Sequence, residues 1–196
     1  MLKTNNTHFN KHSNFQAKRF SSKFEDNDSK CYINYRIVAE MVGENHKVLD
    51  LGCNFGQLGK LLIEKGNEVH GIDISPKAVE CSKSLGIMAK VGNLEETIDF
   101  ENQSFHVIVA MEVIEHILDT DLLLDEIYRV LKTDGRLIIT TPNMASLGKR
   151  ILLSLGRNPY MESSYTYPKG AVGHIRFFTK DSLFSFLKYK IQSYKI

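Results

Sequence analysis

The sequence is poor in the features that mark several protein classes. It holds only three cysteines, Cys31, Cys53 and Cys81, and no pair at CxxC spacing. That argues against a disulfide framework or a zinc site and reads as reduced thiols in a cytoplasmic protein. No apolar run approaches the ~20 residues a membrane-spanning helix needs. The opening Met1-Leu2-Lys3-Thr4-Asn5-Asn6 lacks the apolar core of a secretory signal, so the expected location is the cytoplasm. Charge of one sign is also scarce. Lys plus Arg is 25 against 23 Asp plus Glu, a formal net charge of +2. Binding driven by bulk positive charge is excluded, which argues against nucleic acid as a partner. No internal repeat or low-complexity tract is present.

What remains is an ordinary globular composition, 42% hydrophobic and 24% charged over 196 residues. That length suits one domain with a full core. Residues 1–30 are polar, with Phe9, Phe15, Phe20 and Phe24 scattered through them. They are expected to form an arm whose later aromatics dock on the domain or cover its site. Residues 31–196 are expected to form the domain itself.

From Cys31 the pattern is regular. Tyr32, Tyr35, Ile37, Val38 and Met41 lie close to one helical face that Gly43 ends. Lys47 to Leu51 is a short buried strand running into the turn Gly52-Cys53-Asn54-Phe55-Gly56. Leu58, Leu61, Leu62 and Glu64 keep helical spacing up to Gly66-Asn67. Glu68 to Ile74 is a second strand. Ser75-Pro76 supplies an N-cap and a proline at the first helical position, and that helix runs to about Leu85. Ile87 to Val91 and Phe105 to Met111 are the third and fourth strands, the latter apolar enough to be covered on both faces. Leu122 to Leu131 is an amphipathic helix, and Asp134-Gly135 turns the chain into a fifth strand, Arg136 to Thr141. Ala145 to Gly156 is a further helix and Tyr160 to Gly173 a loop. Asp181 to Lys190 is a last helix capped by Thr179, with Phe177, Phe178, Phe184 and Phe186 as core beside it. Ile191 to Ile196 reads as one final strand. Strands alternating with helices predict an α/β fold, Rossmann-like and doubly wound, with a mostly parallel sheet covered by helices on both faces.

In such a sheet ligands bind beyond the carboxyl ends of the strands, near the point where strand order reverses. Two motifs sit at such ends. In Val48-Leu49-Asp50-Leu51-Gly52-Cys53-Asn54-Phe55-Gly56, glycines let the chain turn and a ligand approach the backbone. In Gly71-Ile72-Asp73-Ile74, a carboxylate at the second strand tip, roughly 20 residues downstream, is placed to accept ribose hydroxyls. A dinucleotide site, and with it an NAD(P)-binding oxidoreductase, satisfies part of this logic. Its second glycine clears the pyrophosphate, however, and Asn54 stands there. Asp50 would set negative charge near a diphosphate but suits a positive amine or sulfonium.

Val48 to Gly56 resembles motif I of the class I S-adenosylmethionine-dependent methyltransferases. Asp73-Ile74 looks like their ribose-binding acidic position. Gly92-Asn93-Leu94-Glu95 resembles the segment whose Asp or Asn meets the adenine amine. Ala110-Met111-Glu112-Val113-Ile114-Glu115-His116 is similar to the fourth-strand motif of the quinone-biosynthesis O-methyltransferase branch. Leu131 to Leu137, Thr141-Pro142-Asn143 and Gly173 to Thr179 continue the likeness. The resemblance implies S-adenosylmethionine as cofactor, held by Asp50, Gly52, Cys53, Asn54, Gly56, Asp73, Ile74, Asn93, Leu94 and Met111. It implies methyl transfer to a small-molecule acceptor, expected at a hydroxyl oxygen, with His116 as the catalytic group that takes the proton. Asn54 replaces a frequent glycine and Asn93 a frequent aspartate.

Glu112, Glu115 and His116 at i, i+3 and i+4 would share one side of a helical turn. Such a set could ligate a divalent ion, but no bound metal is expected. His174 and Arg176 are further substrate-site candidates, and Tyr160, Tyr165 and Tyr167 lie in the loop expected to shape the acceptor pocket. His70 and His106 lie within strands and read as packing or edge residues. The family closes its sheet with an antiparallel hairpin, and here that hairpin looks shortened. The alternative to an enzyme is therefore a truncated cofactor-binding protein without activity. An open fifth-strand edge is expected either to gain Ile191 to Ile196 as a strand or to mediate self-association.

Overall fold

A computed structural model describes residues 30–159 and 173–193. Tyr160, Tyr165 and Tyr167, the polar arm up to residue 29 and the last three residues lie outside the described residues.

Five strands carry the fold: β1 (Lys47–Leu51), β2 (Glu68–Asp73), β3 (Met88–Val91), β4 (Phe105–Met111) and β5 (Leu131–Thr140). They form one parallel sheet in the order β3-β2-β1-β4-β5. The order reverses between β1 and β4, which creates a crevice at their carboxyl ends. Register brings those ends level: Leu51 pairs with Ile72 and Ala110, Asp73 with Val91, and Met111 with Thr140. Every segment that leaves the sheet at this edge can therefore contribute to one site.

The sheet is buried on both faces because successive side chains point to opposite sides. On one side Val48, Val69, Val107 and Val109 pack against α1 (Lys30–Val42), α2 (Gln57–Glu64) and α3 (Pro76–Ser84) through Val38, Val42, Leu58, Leu62 and Val79. On the other side Leu49, Leu51, Ile72, Ile108 and Ala110 meet Leu123, Ile127 and Val130 of α4 (Thr120–Val130). The helix starts follow local chemistry. Ser75 Oγ accepts from Ala78 N at 3.3 Å ahead of Pro76, and Asp119 Oδ1 accepts from Leu122 N at 2.9 Å. Such caps satisfy donors that a first helical turn leaves orphaned.

Three expectations need correction. The fourth helix stops at Val130, and β5 begins at once with Leu131 paired to Phe105. The pairing then jumps to Arg136 opposite Val107, so Lys132 to Gly135 bulge out of the strand. Near its end the chain does not form a strand at Ile191. It continues as α6 (Lys180–Ser193), a stretch with no glycine or proline to stop a helix. Phe177 and Phe184 are exposed, and only Phe186 and Leu187 reach the core beside α4. Among the described residues the sheet ends at β5, so the expected hairpin is not among them. The helix α5 (Leu147–Ser154) buries none of its residues among the described ones.

Candidate active site

The first half of the site is the turn after β1. Gly52 N and Cys53 N both donate to Ile72 O, at 2.8 and 3.0 Å, which ties the turn to β2. Gly52 has φ +71°, and a Cβ there would lie 2.7 Å from Val113 Cγ2. Asn54 is also left-handed, at φ 50°. Asparagine is among the few side chains that enter this region readily, so it can stand where the family resemblance implies a glycine. Its N–H donates to Asp73 Oδ2 at 2.9 Å, while Ser75 N donates to Asp73 Oδ1 at 2.8 Å. The Asp73 carboxylate is thereby fixed at the crevice, half-buried, with a second lone pair on each oxygen. Ile74 beside it is 41% exposed, an apolar surface for a flat ring.

Asp50 lies under this turn and is 3% exposed. Burial, aided by the nearby Asp73 charge, pushes its pKa up to about 8. A carboxyl held neutral this way gains most from a cation brought close to it. Cys53 is buried, and its thiol is pushed up by burial and by the Asp50 and Asp73 charges, so it packs rather than reacts. Its sulfur fills the space beside Gly71, where a Cβ would come within 2.7 Å of Sγ. Asn93 Oδ1 accepts from Glu95 N at 3.1 Å, which orients the carboxamide at the β3 tip above buried Leu94.

The second half follows β4. The expected helical turn is a short 3-10 turn, Ile114–His116, and Glu112 lies outside it with φ 56°. Glu112 accepts from Thr140 Oγ1 at 3.0 Å. Burial raises its pKa, and the Thr140 hydroxyl, His174 and Lys149 only partly offset this. The group that does assemble is Glu115, His116 and His174, whose ligand atoms all lie within 4.8 Å of one another. Glu115 is 1% exposed. Its Oε2 accepts from Thr141 Oγ1 at 3.0 Å, and its Oε1 lies 3.9 Å from His174 Nε2. The two imidazoles meet edge to face at 4.8 Å. Two imidazoles and a carboxylate are also a donor set for a divalent ion, with His174 in the place expected of Glu112.

His174 is delivered by a docked segment. Ile175 N and Arg176 N donate to Glu115 O at 3.0 and 3.2 Å. Arg176 donates through Nε to Ile117 O at 3.1 Å and through Nη2 to Leu118 O at 2.6 Å. Arg176 thus anchors the segment. Sequence reading missed Thr140 and Thr141. The signal available was their place at the end of β5, level with Met111.

Comparison with known proteins places this geometry. Residues 49–139 match the methyltransferase domain family. The human mitochondrial ubiquinone biosynthesis O-methyltransferase is 33% identical over 151 residues, 72% of this chain and 40% of the human protein. The ubiquinone biosynthesis O-methyltransferase of Pelagibacter ubique (strain HTCC1062) is 37% identical over 106 residues, 51% of this chain and 43% of that protein. A Thermotoga maritima S-adenosylmethionine-dependent methyltransferase, described as a possible histamine N-methyltransferase, superposes with a TM-score of 0.64. It is 20% identical, covering 90% of this chain and 79% of that one, and it supports the fold alone. Residues 49–139 are accordingly a methyltransferase domain, and the sequence relatives and the shared fold support the class I S-adenosylmethionine-dependent methyltransferase superfamily. Its cofactor is accordingly S-adenosylmethionine. The chain spans about two fifths of the length of the two curated relatives. Among the described residues no helix is long and apolar enough to cross a membrane.

Proposed function

We propose that this chain transfers the methyl group of S-adenosylmethionine to a hydroxyl oxygen of a small molecule, in the cytoplasm and without nucleic acid as partner. The observation that carries the reading is the juxtaposition, at one sheet edge, of a fixed ribose acceptor, Asp73, and a buried carboxyl, Asp50, with an imidazole cluster one strand away. Asp73 takes the ribose hydroxyls, Ile74 and Asn93 the adenine, and Asp50, Gly52, Cys53, Asn54 and Gly56 surround the amino-acid end. Leu94 and Met111 complete the walls.

Holding acceptor oxygen, methyl carbon and sulfonium in line supplies most of the acceleration in such a transfer. The acceptor oxygen forms its bond to the methyl carbon as the carbon–sulfur bond breaks, leaving neutral S-adenosylhomocysteine. The hydroxyl proton passes to His116, a side chain of suitable basicity beside the fourth-strand tip. The names of the curated relatives favour an aromatic, quinone-precursor hydroxyl over a sugar. The reading needs no metal. The β5 edge, unpaired among the described residues, is the surface for self-association.

Isothermal titration with S-adenosylmethionine and with NADH, followed by methyl transfer from labelled donor to catechol and sugar acceptors, tests this. Saturable binding of the first alone and label in a catechol ether are expected. Binding of NADH instead would sustain the oxidoreductase reading. Tight cofactor binding with no transfer to any phenol would sustain a binding protein without activity.

A further inference from the structure

The other end of the sheet, where the strands begin, carries a cluster that methyl transfer does not use. His106, the second residue of β4, accepts at Nδ1 from the backbone N–H of Lys47 at 3.0 Å. A neutral imidazole with an acceptor at Nδ1 keeps its proton on Nε2. Yet Nε2 lies 2.8 Å from Lys132 Nζ. Two N–H donors therefore face each other at hydrogen-bond distance with no acceptor between them. Protonating the ring worsens this, and burial together with Lys132, His46 and Lys47 holds its pKa below the usual value.

Most of the charged neighbours share the sign, and Glu68 opposes them. The His46 ring lies 5.9 Å from that of His106, tilted by 42°, and its Nε2 lies 3.3 Å from Arg136 Nη2, which also donates to Val42 O. Among the described residues neither Lys132 nor Arg136 has an acidic side chain within ion-pair distance, whereas Lys47 pairs with Glu68 at 3.3 Å. The β5 bulge completes a surface pocket lined by Gln103, His106, Lys132, Thr133, Asp134 and Gly135. It offers a hydroxyl and a carboxamide beside the two N–H donors, and one carboxylate, Asp134, in its lining.

We propose that this pocket binds a small oxyanion of the phosphate or phosphate-monoester class, with one oxygen accepting from both His106 Nε2 and Lys132 Nζ. A tetrahedral dianion has enough acceptor oxygens to reach Thr133 and Gln103 as well. A monovalent spherical anion does not. One lysine without an ion pair among the described residues and one imidazole in the lining suit a small ligand rather than a polyanion, which needs an extended basic track. The pocket lies the length of β4 from Met111, about 20 Å at the strand rise, so the ligand does not compete with the cofactor.

The test is histidine-resolved proton–carbon NMR on the full chain at constant ionic strength. Inorganic phosphate, glycerol 3-phosphate and sodium chloride are titrated separately. A saturable shift of the His106 ring with either phosphate, absent with chloride and lost in Lys132→Gln, is expected. Saturation tenfold lower with glycerol 3-phosphate assigns an esterified ligand, and equal saturation assigns free phosphate. His106→Gln gives an independent arm, in which phosphate should no longer raise the midpoint of thermal unfolding. An unmoved His106 ring, an equal response to chloride, or phosphate stabilisation that persists in both variants overturns the proposal.

Discussion

Replacing Asp50 by Asn should make the protein more resistant to unfolding at pH 8 than at pH 5, relative to the unmodified chain. The side chain is 3% exposed, and burial raises its pKa from 3.8 to about 8. The neutral acid is thus the form that suits the folded state. Between those values the folded chain retains a proton that the unfolded chain has lost. Stability from this group is complete below pH 3.8 and is lost as pH rises through about 8. One bound proton corresponds to about 1.4 kcal/mol per pH unit, so the ceiling is about 4 kcal/mol between pH 5 and 8. Water penetration and relaxation around a buried charge reduce that figure, and about 2 kcal/mol is the working expectation. Asn is nearly isosteric and does not titrate. Other groups titrate almost alike in the two chains and largely cancel in the difference. Urea unfolding at pH 5, 6, 7 and 8 measures it directly. A difference between Asp50→Asn and the parent that stays constant with pH would refute the buried-acid argument. The same group links cofactor binding to protons. A cationic donor favours the ionised carboxylate, so S-adenosylmethionine should bind more tightly as pH rises from 6 toward 8 and displace up to one proton. Titrations in buffers of different ionisation enthalpy read that proton, and Asp50→Asn should abolish it.

Asp73→Ala should weaken S-adenosylmethionine binding by ~1.5–3 kcal/mol, since charge-assisted acceptors for the ribose are lost. An unchanged affinity by calorimetry would remove Asp73 from the site. His116→Ala should lower kcat by about 10²–10⁴-fold, the usual range for a lost acid–base group, with cofactor affinity retained. A kcat within twofold of the parent would free His116 of that role. Treatment with a chelator should leave activity unchanged, and loss restored by Mg²⁺ would assign Glu115, His116 and His174 to a metal instead. Gly59→Ala should destabilise the fold by ~1–3 kcal/mol through overpacking, because the new Cβ would sit 2.4 Å from Ile87 Cδ1. An unfolding midpoint equal to the parent's would show that Ile87 moves aside at no cost.

The alternation of strands and helices was legible from residues 31 to 130 because each element carries its own period and its own stop signal. Gly43, Gly66 and the Ser75-Pro76 cap all fall where the sequence placed them. The strand-tip positions of Asp50, Gly52 and Asp73 were legible for a related reason: strand ends can be read from local pattern. The β4 cluster was harder. A spacing of i, i+3 and i+4 presumes an α-helix, but the left-handed backbone at Glu112 rotates that carboxyl toward Thr140. Its replacement, His174, lies 59 residues from Glu115, and no periodicity reports a tertiary contact of that span. The β5 bulge escaped for the same reason, whereas the helical run through Ser193 is a local feature. Pairing with Phe105 fixed the first, and an uninterrupted propensity carried the second beyond where a strand was expected.

The chain leaves the sheet after Thr141 and returns by Phe178 to almost the same place. Met144 N donates to Phe178 O at 2.7 Å, Asn143 and Phe178 form a parallel bridge, and Arg176 grips the carbonyls of Ile117 and Leu118. The two ends of this excursion are thereby pinned to each other. Doubling the length of a closed loop costs only ~0.6 kcal/mol of closure entropy. Changes in the length of the intervening chain should therefore leave the sheet and the turn after β1 untouched, and a graft between related chains should be cut at Asn143 and Phe178.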